Sequence, residues 1–293
     1  MALAAYECFA IPKGRQFYIE HEQPRTMIFL DSSSPVECSY KVSISKFLAG
    51  YGYELRRTAL GSQELAAQDR SLWATSRVLA EHATPNDLFD FDDKERKKAR
   101  DKGILVSSTR LEQLNEQVRI ALEKQFEVNS DKSIKLDKIG GDFVTGGWLE
   151  VFVWGLLAQN AQALGIHDVQ RSVKPYRPGD NEANDMDVAF MDDQMALVMV
   201  ECKSGEQQHG SAMDIFYKVN SVVGQSQALK AKAILATTSN FLIDPQRPGE
   251  LKDRAKELSG LFKLKLVLRD ELQELARRPD DVEYVRGVFL SRK

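Results

Sequence analysis

Cysteine and histidine are scarce in this chain. Its 293 residues include 3 cysteines and 4 histidines. Cys8, Cys38 and Cys202 are too scattered for a zinc site or a disulfide framework. The histidines show no ligand spacing, so we expect each to be a surface or packing residue. An odd number of cysteines is typical of a reducing compartment, and we therefore expect a cytoplasmic protein.

The sequence also lacks a long hydrophobic run and an excess of one charge. The most apolar stretch, residues 146–164, is interrupted by Glu150, Gln159 and Asn160, so no membrane span is predicted. The formal net charge is −3, which argues against a protein that coats nucleic acid by bulk charge. A local basic groove is still compatible with this balance. The length is sufficient for two domains.

The segment from Asp187 to Lys203 predicts a β-hairpin with charged residues at its open end. Two apolar runs flank a polar turn near Gln194, and the second run leads into Glu201-Cys202-Lys203. Side chains alternate between the faces of a strand, so Glu201 and Lys203 share a face. With this turn, paired residue numbers sum to about 388, which sets Asp187 opposite Glu201 with Cβ atoms roughly 5 Å apart.

Two carboxylates and an ammonium group at one point suggest metal-dependent hydrolysis of a phosphodiester. Mg²⁺ and Mn²⁺ prefer carboxylate oxygens, and a neighbouring lysine can hold or help to deprotonate the attacking water. Asp187 and Glu201 are then the expected ligands, together with the backbone carbonyl of Cys202, while Lys203 orients the water. The alternative is an ordinary hairpin with a salt bridge, because an acid-x-lysine triplet recurs by chance in charged proteins.

Glu150 is a further candidate ligand. A predicted helix begins at Gly146-Gly147, continues to Leu164 and is apolar nearly all round, which indicates burial. Glu150 lies in its first turn, where a carboxylate either complements the helix dipole or points at the hairpin as a metal ligand. An ionised glutamate on a buried helix is costly unless something pairs with it. We therefore favour the ligand interpretation, in which Glu150 completes the shell or binds a second ion.

Periodicity predicts alternating elements in the second half of the chain. The predicted elements are helix 146–164, strands 168–175, 186–191 and 196–203, helix 213–229, strand 232–238, helix 250–258, strand 264–268 and helix 270–277. The first six follow the order αβββαβ, which is that of the PD-(D/E)xK nuclease core. Asp187 would be the acid of the first half-motif and Glu201-Cys202-Lys203 the second half, with Met186 in place of the proline.

Six segments carry a more specific likeness. They are Gly146-Gly147-Trp148-Leu149-Glu150, Asn184-Asp185-Met186-Asp187-Val188, Val200-Glu201-Cys202-Lys203-Ser204, Tyr217-Lys218-Val219, Lys232-Ala233-Ile234-Leu235 and Arg254-Ala255. Together they resemble the nuclease domain of CRISPR ancillary nucleases, in which a CARF sensor, a winged-helix-like middle and a PD-(D/E)xK nuclease are fused. The resemblance covers roughly the last 150 residues.

The resemblance implies a type III CRISPR ancillary effector, an endonuclease of DNA and/or RNA. In intact members of the family a cyclic oligoadenylate activates the enzyme, and the CARF half forms a homodimer. Lys218 is a weaker candidate for contact with the scissile phosphate. Its other interpretation, a solvated helix lysine, is about equally favoured.

We therefore expect an α/β chain of three regions. Residues 1–40 would be the carboxy-terminal, Rossmann-like remnant of a CARF domain, 41–135 a winged-helix-like region, and 136–293 the nuclease domain. Residues 1–10 predict a helix and two short strands follow it. In similar proteins such a helix follows a glycine-threonine-lysine loop that helps to hold the activator, so we expect an amino-terminally truncated form and assign no activator-binding residue.

The middle region is predicted to contain three helices, at 43–50, 63–83 and 107–124. Residues 90–100 change from acidic to basic. A mixed charge run is usually a solvated face or loop, and we prefer that interpretation. The alternative is that Arg96, Lys97, Lys98 and Arg100 contact a phosphate backbone or a second subunit.

Two other functions stay open. A non-catalytic nucleic-acid-binding or regulatory protein would use the nuclease-like domain as a scaffold, and would not require Asp187, Glu201 and Lys203 to share a face. A restriction or repair endonuclease of the same superfamily is the third possibility. The CARF-like beginning argues against it.

Overall fold

The computed structural model describes residues 41–55, 62–177, 179, 185–205 and 231–290, and three short strands before them. The strands are β1 (Phe17–Ile19), β2 (Thr26–Phe29), β3 (Pro35–Glu37), β4 (Glu54–Leu55), β5 (Ile104–Val106), β6 (Glu127–Val128), β7 (Ile134–Leu136), β8 (His167–Val173), β9 (Pro175–Tyr176), β10 (Met186–Met191), β11 (Leu197–Lys203), β12 (Ala231–Thr237) and β13 (Lys265–Val267).

The helices of the same residues alternate with these strands. They are α1 (Ile44–Ala49), α2 (Ser62–Glu81), α3 (Asp93–Lys102), α4 (Ser108–Glu112), α5 (Glu116–Gln125), α6 (Lys138–Asp142), α7 (Trp148–Leu164), α8 (Asp253–Leu261), α9 (Arg269–Arg277) and α10 (Val282–Phe289), and a π-helical turn at Phe143–Gly147 joins α6 to α7. The predicted helices 1–10 and 213–229, and with them Lys218, lie outside the described residues.

A five-stranded mixed sheet carries the predicted hairpin, with the strand order β13-β12-β11-β10-β8. β10 is antiparallel to β11 and to β8, whereas β12 runs parallel to β11 and to β13. Apolar side chains cover both faces of the central strands, which explains why β10 and β11 read as continuous apolar runs rather than as alternating ones. The mixed α/β class and the hairpin strands are as predicted.

Helix α7 is buried because it is enclosed on two sides. It packs on β8, β10 and β11 of the sheet, and α2 packs against it from outside. The two helices approach so closely that a Cβ on Gly155 would collide with the indole ring of Trp73. Trp148 and Trp154 are core residues of this layer, as their place on an apolar helix predicts.

The opposite face of the sheet is covered by two smaller groups. Ile44, Phe47 and Leu48 of α1 pack with residues of β10 and β11 that include Ala189 and Met199. Around β12, the side chains of Ala255 and Leu258 of α8 close the core. The central hairpin therefore lies between two apolar layers, and charged groups are placed near its open end.

The middle of the chain differs from the prediction in two places. The predicted helix 107–124 is two helices, α4 and α5, because the Asn115 side chain accepts a hydrogen bond from the Gln117 N–H at 2.9 Å and caps a new helix. The charge run forms helix α3. This helix starts with a capping box between Asp92 and Glu95. Its lysines are exposed, which fits a solvated face, and contact with a phosphate backbone or a second subunit stays a prediction.

Strands β5, β7 and β6 form a small antiparallel sheet beside these helices. Only helices were predicted for the region, so the sheet is an addition. The division of the chain at residues 40 and 135, and the winged-helix-like assignment, stay predictions.

Asp192 fixes the turn of the central hairpin. It is 2% exposed, and its Oδ1 accepts hydrogen bonds from the N–H groups of Gln194 and Ala196, each at 2.8 Å. Its other oxygen accepts from the Lys232 ammonium of the neighbouring strand. The carboxylate thus closes the turn and ties the hairpin to β12.

We predict that Asp192→Ala lowers the free energy of unfolding by about 2–3 kcal/mol, because it leaves the buried N–H of Ala196 and the half-buried N–H of Gln194 without their acceptor. Urea unfolding of the metal-free protein measures the change. Asp193→Ala, at the exposed neighbouring position, is the matched control and should change stability by less than about 0.5 kcal/mol. Equal effects of the two substitutions would contradict this role for Asp192.

Candidate active site

The open end of the hairpin brings together the three residues that the sequence placed there. The register pairs Val188 with Val200, so the next residues along, Asp187 and Glu201, lie opposite each other on one face. The Lys203 ammonium lies 2.7 Å from Oε1 of Glu201 and 3.6 Å from Oδ2 of Asp187. The predicted convergence of two carboxylates and one ammonium group is present.

The two carboxylates are held in place by the surrounding chain. Asp187 is 9% exposed and Glu201 7%. Oδ2 of Asp187 accepts a hydrogen bond from the backbone N–H of Cys202 at 2.7 Å, and the Cys202 carbonyl accepts one from Lys203 Nζ at 3.2 Å. The short segment Glu201-Cys202-Lys203 therefore fixes both its own side chains and the acid on the other strand.

Lys203 is protonated at neutral pH in this arrangement. Burial opposes its charge, but the negative charges of Asp187 and Glu201 outweigh burial and raise the pKa of Lys203 above its usual value. In this arrangement the group carries a positive charge and donates hydrogen bonds. Burial also raises the pKa of the Cys202 thiol, and the charges of Asp187 and Glu150 raise it further, so this thiol stays neutral.

The end of β11 is anchored by the loop that follows β12. The Thr238 N–H donates to the Lys203 carbonyl at 3.2 Å, and the Gly205 N–H donates to Thr238 Oγ1 at 2.9 Å. Gly205 has φ +73°, and a Cβ there would collide with the carboxylate of Asp87. Only glycine fits this position, and its close approach to Asp87 holds the chain just after Lys203.

Glu150 approaches the same region from α7. The chain turns sharply at Gly146, where φ is 143°, and Glu150 lies in the first turn of the helix that follows. Burial, and next the charge of Asp187, raise the pKa of Glu150 to about 8, although Arg171 opposes the shift.

Arg171 of β8 links Glu150 to helix α2, and the sequence analysis missed it. Its Nη1 donates to Oε2 of Glu150 at 3.1 Å. Its Nε and Nη2 donate to the two carboxylate oxygens of Asp69 at 2.9 and 2.8 Å. Asp69 falls on the same helical stripe as Leu72 and Ser76, and an acid on such a buried stripe was a signal that Asp69 needs a partner, though not of which partner.

The donor set fits a hard divalent cation by its chemistry. Glu150, Asp187 and Glu201 supply carboxylate oxygens, and Cys202 supplies a carbonyl oxygen, which are the ligands that Mg²⁺ and Mn²⁺ prefer. In the conformation described, the described residues contain no three acidic, histidine or cysteine side chains close enough together to hold an ion. Lys203 lies beside both hairpin carboxylates instead.

Residues 137–279 match the family model of the Card1-like endonuclease domain. Solved structures share the fold over most of the chain. Protein VC1899 from Vibrio cholerae superposes with a TM-score of 0.66 at 19% identity, over 92% of this chain and 69% of that one. No curated protein matches the chain by sequence.

A second similar structure is Can2 from Sulfobacillus thermosulfidooxidans, solved in complex with cyclic tetra-adenylate. It superposes with a TM-score of 0.57 at 16% identity, over 94% of this chain and 70% of that one. The carboxy-terminal half therefore resembles an endonuclease domain, and at these identities the two structures show the fold alone.

Among the described residues, no helix has both the length and the apolar character needed to cross a membrane.

The raised pKa of Glu150 predicts a pH-dependent stability of the metal-free protein. The folded protein retains a proton up to about pH 8, whereas the unfolded chain releases it near its ordinary value of 4.5. This contribution is therefore complete below about pH 4.5 and is lost as the pH rises through 8. We expect Glu150→Gln to be more stable than the wild type at pH 9, and this advantage to shrink towards pH 5.

Urea midpoints at pH 5, 7 and 9 in the presence of a chelator measure the difference. Glu112→Gln, at an exposed position, is the control and should show no pH-dependent difference from the wild type. A wild-type minus Glu150→Gln difference that is constant with pH would show that this carboxyl is not perturbed by folding.

Proposed function

We propose that this chain is a metal-dependent endonuclease of the PD-(D/E)xK superfamily that hydrolyses phosphodiester bonds of DNA and/or RNA. One observation carries the proposal: Lys203 lies within reach of both Asp187 and Glu201 at the end of a buried hairpin. The match of residues 137–279 to an endonuclease domain supports it independently. Metal-dependent hydrolysis of this kind uses acidic ligands for the cation and a positive group beside them, and this site provides both.

Asp187, Glu201, Glu150 and the Cys202 carbonyl would hold Mg²⁺ or Mn²⁺. Such a cation, when bound, neutralises charge that develops on the phosphate and lowers the pKa of water. Lys203 would donate a hydrogen bond to the attacking water and stabilise the negative charge that grows on it. The Cys202 N–H holds Asp187 in one orientation, which fixes one of the proposed ligands.

Regulation by a cyclic oligoadenylate forms part of the proposal. Can2, which has the same overall fold, was solved with cyclic tetra-adenylate bound. The family match and this likeness together support a CRISPR-associated nuclease. Its role as a type III ancillary effector, its cytoplasmic location and its homodimeric state are further parts of the proposal. Titration of the chain with cyclic tetra-adenylate during cleavage assays tests this part separately from the chemistry.

A non-catalytic nucleic-acid-binding protein is the second candidate. The absence of a three-ligand group among the described residues favours it, because Lys203 already compensates both hairpin carboxylates. A scaffold of this kind would take up no Mn²⁺ in calorimetry. An endonuclease would bind Mn²⁺ and lose that binding with Asp187→Asn.

We predict that Glu201→Ala and Lys203→Ala each lower the rate of Mn²⁺-dependent cleavage by about a hundredfold or more. The first removes a metal ligand and the second removes the fixed positive charge beside the water. Cleavage of single- and double-stranded DNA and RNA is measured with and without cyclic tetra-adenylate, and circular dichroism checks the fold. Asp193→Ala should cleave like the wild type. Undiminished cleavage by either site variant would refute the assignment.

Helix α3 lies beside the site and offers a surface for the nucleic-acid backbone. Arg100 donates to Oγ1 and the carbonyl oxygen of Thr145, at 3.1 and 2.9 Å. Thr145 precedes Gly146, where a Cβ would lie 3.4 Å from Oγ of Ser204, next to Lys203. The exposed Lys97 and Lys98 of the same helix are the positive groups that this surface would present to phosphates.

We expect the double variant Lys97→Gln, Lys98→Gln to bind nucleic acid more weakly and with a flatter dependence on salt. For each phosphate that the variant no longer neutralises, the slope of log K against log salt should fall by roughly 1. Fluorescence anisotropy in a Glu201→Ala background avoids cleavage during the measurement. Lys252→Gln, Lys256→Gln on and beside α8 is the control with the same charge change. If both double variants behave alike, α3 does not bind the nucleic-acid backbone.

A further inference from the structure

Arg171 is shared unequally between two carboxylates. One edge of its guanidinium, formed by Nε and Nη2, is taken by Asp69. Only Nη1 is left for Glu150, and it contacts a single oxygen, Oε2, at 3.1 Å. The pair of hydrogen bonds to Asp69 holds the guanidinium in a defined plane. Asp69 therefore decides how Arg171 is presented to Glu150.

This ion pair joins the candidate site to a helix outside the matched endonuclease domain. Asp69 lies on α2, outside the residues 137–279 that match the endonuclease domain. It is 1% exposed, and the side chain of Arg171 is 9% exposed. This ion pair is buried, and an unpaired charge at this depth would be strongly destabilising. Helix α2 is thus joined to the site by charge.

The charges of the three groups also matter for a cation. Asp69 offsets the positive charge of Arg171, so the group Asp69, Arg171 and Glu150 carries a net negative charge when both carboxyls are ionised. Without the Asp69 charge, Arg171 would be free to turn its two-donor edge to Glu150. The guanidinium would then neutralise the Glu150 carboxylate, which would no longer be available to bind a divalent cation.

We propose that Asp69 and Arg171 are positioning residues that orient Glu150 and keep it available for a divalent cation. This inference rests on the proposed function, since it takes Glu150 to be a ligand. Through the pair, a helix that precedes the endonuclease domain sets the cation affinity of the site. Displacement of α2 away from β8 would lower the affinity for the cation, although the residues that bind the cation stay the same.

Calorimetry with Mn²⁺ on the full chain tests the inference without an activity assay. Asp69→Asn keeps the shape of the side chain and removes its charge, and we expect Mn²⁺ affinity to fall about 10- to 100-fold, as for other residues that support a metal ligand. Glu81→Gln removes the same charge at the other end of α2, where Glu81 meets Arg277 at 4.0 Å. This control should bind Mn²⁺ like the wild type.

The decisive comparison repeats Asp69→Asn in a Glu150→Gln background. If Asp69 acts through Glu150, the second substitution adds no further loss of Mn²⁺ affinity, whereas a general structural effect would add its full loss. Arg171→Lys is the companion variant should Asp69→Asn fail to fold. Arg171→Lys retains the positive charge but not the planar arrangement of donors, so this variant should weaken Mn²⁺ binding in the wild-type background only.

The outcomes separate this inference from the proposed function. Wild-type protein that binds Mn²⁺ and cleaves, together with an Asp69→Asn variant of unchanged affinity, overturns the positioning role alone. An equal loss in both backgrounds also overturns it. Wild-type protein that takes up no Mn²⁺ refutes the proposed metal site, and the positioning role with it.

Discussion

Negative charges that are buried close together must be compensated, and this constraint explains the composition of the site. Asp187 and Glu201 lie at the end of a hairpin enclosed by apolar layers, and the Lys203 ammonium lies beside both. Glu150 adds a third carboxyl, which burial and the charge of Asp187 hold at a raised pKa. Its partner Arg171 requires a further partner of its own, Asp69. A divalent cation would relieve the remaining imbalance, which is the physical reason that we propose a metal site here and not an isolated salt bridge.

The fold makes this concentration of charge possible. The central strands β10 and β11 are buried on both faces, and their charged side chains lie near the ends where these strands leave the core. Close approaches at Gly155 and Gly205 leave no space for a side chain, and they hold α2 against α7 and the end of β11 against Asp87. Small displacements of α2, α7 or the end of β11 would therefore move the charged side chains that these elements carry. Such a displacement would disrupt ion pairs as well as packing.

Local signals account for what the sequence analysis predicted well. The two apolar runs and the polar turn define the hairpin and its register, because pairing across a short turn involves residues close in the chain. The same logic failed at Asn115, where a side-chain cap divides a helix whose apolar stripe looked continuous. Helix α3 has almost no apolar stripe, although the Asp92 and Glu95 pair was a readable sign of its start. Arg171 and Asp69 are separated by 102 residues, and no local pattern could bring them together.

The most direct test of the metal site is anomalous diffraction at the manganese edge from crystals of the chain equilibrated with Mn²⁺. A peak between the carboxylates of Asp187 and Glu201, within bonding distance of the Cys202 carbonyl and with Lys203 moved away from Glu201, is the predicted result. Crystals in which Mn²⁺ occupies only surface acids, while Lys203 remains bonded to Glu201, would contradict it.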